Sequence, residues 1–449
     1  MNTILLENAI ILALGHADQV YDSGFVLVED RRIAAVGPMS RAPAGDFGER
    51  IDCACALVMP GLVNAHTHSP MTLFRGMAEG VSLFTMEGWY DTIRELELVM
   101  TPDMVPPAVE VACAEMIMSG TTTFADQYFH MDQIVPVVRR SGMRAALAYG
   151  VVELGDAAAR EQELAQLEAF LESIGKDSSG RLSGWVGPHA FFVDNSPELM
   201  NAEQGLARKY DTGLHIHLST SGEEDRYCRE EFGRTAVQQL DAMGMLDRPL
   251  LAAHSICIPP EDWPLLARRP FTAVIAASAC MRAGAESAPL VAMRSAGINT
   301  ALGTDNVCNN NAYDLFSEMR TLAKLTSYRE RRPDALGARE LLDMATRGGA
   351  VALGLGDEIG ELAPGRRSDL IVIDRNGPGW APETGLDPFT ALVYSVNGSQ
   401  VRDVMVDGRW LMRERQLTTL DYSAAAAQLN ADARRLQTLG SATPGSPPA

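Results

Sequence analysis

Two histidines lie two residues apart in the stretch PGLVNAHTH (residues 60–68). An apolar run leads into this stretch and predicts the end of a β-strand. Side chains two apart in a strand point to one face, so His66 and His68 aim both imidazoles at one point. That arrangement suits a metal ion that prefers nitrogen ligands, such as zinc. Two polar residues at a strand end give the same pattern by chance. The interpretation of His66 and His68 as metal ligands therefore depends on finding further ligands elsewhere in the chain.

Three later strand ends supply candidate ligands. His217 lies in GLHIHL (residues 213–218), with His215 two positions earlier on the same face; His254 ends LLAAH (250–254), and Asp305 lies in LGTDN (302–306). Each residue alone is compatible with a hydrogen-bonded core histidine or a helix-capping carboxylate. Such separate structural roles do not explain why all of these residues lie at strand ends. The whole set therefore predicts one shared site.

The order of elements places these strand ends together. From Val63 onward, eight predicted strands alternate with helices, and they end near His68, Asp126, Gly150, His189, His217, His254, Ser278 and Asp305. Repeated βα units predict an α/β fold with a parallel sheet, and eight units predict a (β/α)8 TIM-type barrel with its site at the carboxyl ends of the strands. An open doubly wound sheet would need a glycine-rich phosphate loop, and none follows any strand.

The two ends of the chain predict a smaller second domain. Residues 1–58 and 358–421 are rich in short apolar runs separated by turns, and we expect them to form one β-sandwich. Residues 59–357 would form the barrel. Residues 422–449 are predicted to be a C-terminal helix and a disordered tail.

Composition and charge exclude several partners. The formal net charge is −20, which argues against nucleic acid and gives no attraction to anionic membranes. The 7 cysteines include no CxxC pair, and the N-terminus lacks the basic region of a signal peptide. We therefore expect a cytoplasmic protein with a small-molecule substrate and with neither a nucleic-acid nor a membrane partner.

The motifs together resemble the amidohydrolase superfamily, in the branch of the triazine hydrolases, S-adenosylhomocysteine/methylthioadenosine deaminases and guanine deaminase. The resemblance covers nearly the whole chain. It is carried by PGLVNAHTH (60–68), SGTTT (119–123), GPHA (187–190), HIHL (215–218), AHS (253–255), LGTDN (302–306) and IGELAPGRRSDL (359–370).

This resemblance implies one divalent metal ion, usually Zn²⁺ and sometimes Fe²⁺, held by His66, His68, His217 and Asp305. A second metal would need a bridging Lys or Glu on the fourth strand, which here ends in VGPH (186–189). The resemblance assigns His254 to orienting the attacking water or polarising the electrophile, and Asp305 to accepting the water's proton. It also implies a homo-oligomer.

The pocket candidates are chosen by position. They are Glu87, Trp89, Arg160 and His189, of which Trp89 and Glu87 lie in a long loop that follows the first strand.

The chain departs from this branch at three places. After strand six, Cys257 stands where the deaminases often carry a second His, and after strand seven AASACMR (276–282) replaces their HNPxSN. The third departure follows strand five. The deaminases carry a Glu three residues after the histidine of strand five, where it protonates the ring nitrogen under attack, and here Thr220 stands at that position. Glu223, Glu224 and Asp225 follow closely, and we predict that Glu224 is the catalytic acid. The alternative for at least two of the three is a solvated helix start, where acidic side chains are favourable.

The predicted reaction is hydrolytic deamination of a nitrogen heterocycle. Dechlorination of a triazine-like ring, or hydrolysis of a urea or amide, is the alternative for the same site. A barrel that binds a small molecule without turnover is a third hypothesis.

Overall fold

A computed structural model describes residues 2–15, 19–190, 192 and 194–441. Its strands form two sheets. The first sheet contains nine strands from the two ends of the chain, namely Thr3–Leu12, Val20–Glu29, Arg32–Pro38, Glu49–Asp52, Leu57–Pro60, Leu370–Ile373, Val401–Val406, Arg409–Arg413 and Gln416–Leu417. The second contains eight, numbered here barrel strands 1 to 8, namely Leu62–Thr67, Thr121–Tyr128, Arg144–Val151, Leu182–Pro188, Leu214–Leu218, Leu250–His254, Phe271–Ile275 and Asn299–Leu302.

The eight barrel strands are parallel and pair in chain order. The first and last strands meet through side chains. Asn64 donates from Nδ2 to Thr304 Oγ1 at 2.7 Å, and the Thr304 N–H donates to Asn64 Oδ1 at 3.0 Å. These contacts bring the two edges of the sheet together, and the predicted (β/α)8 barrel is confirmed.

Helices follow the barrel strands and cover the outside of the barrel. The longer ones are Val105–Met118, Met131–Ser141, Ala157–Ile174, Pro197–Lys209, Glu223–Phe232, Ala236–Ala242 and Leu315–Glu330. The shorter ones are Met86–Trp89, Glu95–Val99, Trp263–Leu266, Ala277–Arg282, Leu290–Ser295, Ala338–Asp343, Gly349–Ala352 and Pro388–Tyr394.

The predicted second domain is also present, because one sheet draws strands from both ends of the chain. Leu57–Pro60 pairs in parallel with Thr3–Leu12 and antiparallel with Leu370–Ile373. Only Gly61 separates this sheet from barrel strand 1. A Cβ atom at Gly61 would lie 2.1 Å from Thr122 Oγ1, so a larger residue does not fit at this junction.

A buried ion network joins the barrel to the nine-stranded sheet. Arg144, at the start of barrel strand 3, donates from Nε to Asp369 and from Nη2 to Asp407, each at 2.8 Å. All three side chains are almost fully buried. Removing one partner would leave a buried charge unpaired, which typically costs about 3–5 kcal/mol.

The predicted C-terminal helix spans Tyr422–Ser441. The disordered tail is predicted for the last ten residues, 440–449; residues 440 and 441 belong to this helix, and residues 442–449 lie outside the described residues. Among the helices that the structure describes, none combines the length and the apolarity needed to cross a membrane.

Candidate metal and active site

Four strand ends bring the predicted ligands to one point at the carboxyl end of the barrel. The ligand atoms of His66, His217 and His254 lie within 4.8 Å of one another, and so do those of His66, His68 and Asp305. Nε2 of His66 and Nε2 of His68 each lie 3.4 Å from Oδ1 of Asp305. The five residues that the sequence placed on four strands therefore share one site.

Backbone carbonyls fix two of the histidine rings. Nδ1 of His68 lies 2.7 Å from the carbonyl oxygen of Gln127, and Nδ1 of His217 lies 2.6 Å from that of His189. A carbonyl oxygen only accepts, so each Nδ1 carries the proton and each Nε2 keeps its lone pair. A metal-binding histidine needs this tautomer.

The third ring, His66, is fully buried, and its Nε2 has no hydrogen-bond partner among the described residues. Burial lowers the pKa of His66 well below its usual range, and neighbouring imidazoles lower it further. The pKa of His217 is lowered for the same reasons. Neutral imidazoles with free lone pairs, beside the Asp305 carboxylate, fit the donor set that zinc prefers.

The backbone is strained at two of these residues. His254 has φ of 72° and Asp305 has φ of 60°, in the left-handed region that non-glycine residues seldom adopt. Such conformations cost about 1–3 kcal/mol and persist where the surrounding structure imposes them, commonly at functional sites. The N–H of Asp305 donates to the carbonyl oxygen of His66 at 3.0 Å, which holds it against barrel strand 1.

A cavity opens above the candidate ligands. Apolar and aromatic side chains form much of its wall, and a few polar groups converge on it. Its lining includes Met71, Leu83, Phe84, Met86, Trp89, Glu97, Gln127, Tyr128, Phe129, His189, Asp194, Thr220, Glu224, Asn306 and Asn309. Such a mixture is typical of a small-molecule site.

Two of the four predicted pocket residues line this cavity. The rings of Trp89 and His189 lie 5.2 Å apart. Glu87 is exposed and is not part of the lining. Arg160 also lies outside the lining, where its Nη1 is 3.3 Å from Glu153 Oε1 and 3.4 Å from Ser196 Oγ.

Glu224 lies in the first turn of the helix Glu223–Phe232 and is the buried member of the three consecutive acids. Glu224 is 3% exposed, whereas Glu223 and Asp225 are half-buried. Both Glu224 and Glu223 line the cavity. Oε2 of Glu224 has no hydrogen-bond partner within the part of the chain that is described. Burial raises the pKa of Glu224 to about 7.

Sequence reasoning found His189 but missed three other residues of the cavity lining, Asp194, Glu97 and Tyr128. His189 Nδ1 bonds to Asp194 Oδ2, and although burial opposes the charged form, this carboxylate raises the pKa of His189. Tyr128 donates to Glu97 Oε1 at 3.0 Å, and burial raises the pKa of Glu97. A strand-end position could have drawn attention to Tyr128, but nothing in the sequence separates Glu97 from the exposed Glu95 nearby.

A family model described as the amidohydrolase family matches residues 57–411. The chain belongs to this family. Membership confirms the resemblance seen in the sequence and the prediction of a hydrolase that acts on C–N bonds.

Similar proteins match almost from end to end. A 5-methylthioadenosine/S-adenosylhomocysteine deaminase of Syntrophomonas wolfei is 35% identical over 437 residues, covering 96% of this chain and 99% of its own. A 5'-deoxyadenosine deaminase of Methanosarcina mazei is 36% identical over 422 residues, covering 94% and 95%. The solved structure of an adenosine deaminase from Xanthomonas campestris with bound zinc superposes with a TM-score of 0.90 at 29% identity, covering 97% and 98%.

Proposed function

We propose that this amidohydrolase is a mononuclear metal-dependent deaminase, which replaces an amino group on a nitrogen heterocycle with the oxygen of water and releases ammonia. The observation that carries the proposal is the convergence of His66, His68, His217 and Asp305 beneath a cavity that also contains Glu224. The three deaminases to which the chain is similar support the same reaction.

His66, His68, His217 and Asp305 would hold the metal. When bound, a zinc ion supplies Lewis-acid chemistry and lowers the pKa of water to about 7. Fe²⁺ accepts the same ligands, and the donor set does not choose between the two metals.

Asp305 and His254 act on the attacking water in this proposal. Asp305 Oδ1 accepts from the N–H of Asn306 at 2.7 Å, which fixes the carboxylate plane and leaves Oδ2 to accept the water's proton. The His254 ring lies 4.3 Å from the Phe84 ring, which helps to hold its orientation toward the reacting carbon. Burial lowers the pKa of His254 to about 4, so it works as a neutral imidazole.

Glu224 supplies the proton that Thr220 cannot. A hydroxyl group does not donate a proton to a ring nitrogen near neutral pH, whereas a carboxylic acid with a pKa near the operating pH does so effectively. Glu224 lines the cavity, and its buried Oε2 has no hydrogen-bond partner among the described residues, so in this proposal Oε2 carries the proton.

The substrate class that we propose is an aminated purine nucleoside. The indole of Trp89 offers a stacking surface for a planar base. The imidazole of His189 offers a polar group for a ring nitrogen, and the Glu97–Tyr128 pair offers hydrogen-bonding groups for hydroxyl substituents.

Ammonia release from a panel of substrates tests the function. The panel contains 5'-methylthioadenosine, S-adenosylhomocysteine, adenosine, guanine, aminopterins, cytosine and aminotriazines, with a chlorotriazine assayed for chloride. We expect ammonia release from at least one purine nucleoside, its loss on chelation, and its return with stoichiometric zinc. Chloride release without ammonia from any compound would contradict deamination, and full turnover by metal-free protein would contradict the metal site.

We also propose a cytoplasmic location, since all seven cysteines are free and five of them are buried without a disulfide bond in the described structure. The homo-oligomer stays a prediction.

A further inference from the structure

The third metal-facing ring, His66, depends on a side chain rather than on a carbonyl. Nδ1 of His66 lies 2.7 Å from Nε2 of His215. His215 is fully buried, two residues before His217 on barrel strand 5. His66 thus differs from His68 and His217, whose Nδ1 partners are backbone oxygens that can only accept.

Two neutral arrangements satisfy this contact. In one, His66 donates its Nδ1–H to the Nε2 lone pair of His215, and His66 Nε2 is free to bind a metal. In the other, His215 donates from Nε2–H, and the proton of His66 then lies on Nε2 and points into the site. Only the first arrangement is compatible with metal binding.

The first arrangement requires His215 to carry its proton on Nδ1. That atom is buried and has no hydrogen-bond partner among the residues described. A buried polar group without a partner destabilises a fold, so the His66–His215 pair is poorly explained as a stabilising contact. The effect of the His66–His215 contact is instead on the site, because the contact sets the direction of the Nε2 lone pair of His66.

Gln127 fixes the strand that carries His215. Its side-chain Nε2 donates to the backbone carbonyl oxygen of His215 at 2.6 Å. Its backbone carbonyl oxygen accepts from Nδ1 of His68. Gln127 thereby links barrel strands 2 and 5 beside His68 and His215, which restrains the backbone of His215.

We propose that His215 is a positioning residue for the metal, which holds the His66 ring in the tautomer and orientation that expose its Nε2 lone pair. This rests on the metal site of the proposed function. His215 contacts neither the substrate nor the metal; it acts through His66 alone.

Zinc affinity of matched variants tests the role. In His215→Gln, the side-chain oxygen Oε1 is four bonds from Cα, as Nε2 of histidine is, so a hydrogen-bond acceptor is retained. In His215→Met, the side chain has a similar volume but no comparable acceptor. We expect His215→Met to weaken zinc binding about 10- to 100-fold in a chelator competition, which is typical of lost outer-shell partners. His215→Gln should stay within a few-fold of wild type.

Two further measurements separate positioning from a structural effect. The melting temperatures of the metal-free variants should agree, while the rise produced by zinc should be smaller for His215→Met. In wild-type protein labelled with ¹⁵N-histidine, the zinc-bound form should show His215 protonated on Nδ1. This last measurement needs no variant to fold.

The proposal is overturned if His215→Met binds zinc as tightly as wild type, if both variants are weakened equally, or if His215 is protonated on Nε2 in the zinc-bound protein. Wild-type protein that binds no zinc would remove the metal site itself. Zinc binding without any deaminase activity would contradict only the proposed reaction.

Discussion

The backbone N–H of Thr220 donates to Oε1 of Glu224 across 3.5 Å. The residue at the position where related deaminases carry an acid thus contacts the acid that we assign to its role. The contact occupies Oε1, and Oε2 remains without a partner among the described residues. The cavity therefore has a carboxyl group near barrel strand 5, although it comes from the next helix.

Replacing Glu224 with Gln should reduce turnover. Loss of a general acid typically lowers kcat about 10²- to 10⁴-fold, and zinc content should not change because Glu224 is not a ligand. Glu231→Gln, on an exposed position of the same helix, is the matched control and should keep wild-type activity. Wild-type kcat should fall as pH rises through about 7, where Glu224 loses its proton. A Glu224→Gln enzyme that is as fast as wild type would exclude this role.

The same substitution should stabilise the protein at alkaline pH. The folded-state pKa of Glu224, about 7, is above the ordinary 4.5, so the folded state holds a proton that the unfolded state has released. The free energy of unfolding of the wild type is therefore highest below pH ~4.5 and decreases as pH rises toward ~7. Gln does not ionise, so the free energy of unfolding of the Glu224→Gln variant does not decrease for this reason as pH rises.

We expect Glu224→Gln to exceed wild type by about 3 kcal/mol at pH ~8, since one unit of pKa shift corresponds to about 1.4 kcal/mol. The difference should vanish near pH ~4. Urea unfolding at the two pH values measures it. A difference that does not depend on pH would show that Glu224 ionises normally in the folded protein.

The cavity wall predicts which of the four pocket candidates affect substrate binding. Trp89→Ala should raise KM about tenfold or more, because it removes an aromatic surface beside His189. Arg160→Ala and Glu87→Gln should leave KM within about twofold, since both side chains lie outside the lining. Steady-state kinetics on the best nucleoside substrate distinguishes them. A larger KM change in Arg160→Ala than in Trp89→Ala would contradict the cavity that we describe.

Asp194 should act through His189. Asp194→Ala removes the partner of His189 Nδ1 and frees the ring to rotate, so we expect KM to rise about tenfold with zinc content unchanged. Glu198→Ala, an exposed acid nearby, is the control. Loss of zinc together with activity would indicate instead that Asp194 supports the His217 ligand through the backbone of His189.

The sequence alone determined the metal-site candidates and the barrel. The period of two in His66-Thr67-His68 is a local property of a strand, and eight strand–helix repeats leave few alternatives to a closed barrel. Parallel strands have their carboxyl ends at one side, so His217, His254 and Asp305 had to approach the first pair.

The tertiary structure decided which acids are buried at the cavity. Consecutive residues of a helix point about 100° apart, so Glu223, Glu224 and Asp225 cannot all be buried, and the docking of that helix buries only Glu224 of the three. Glu97 enters the cavity for a similar reason, because the short helix Glu95–Val99 buries it and exposes Glu95. These choices depend on long-range packing between elements distant in sequence, which local spacing does not encode.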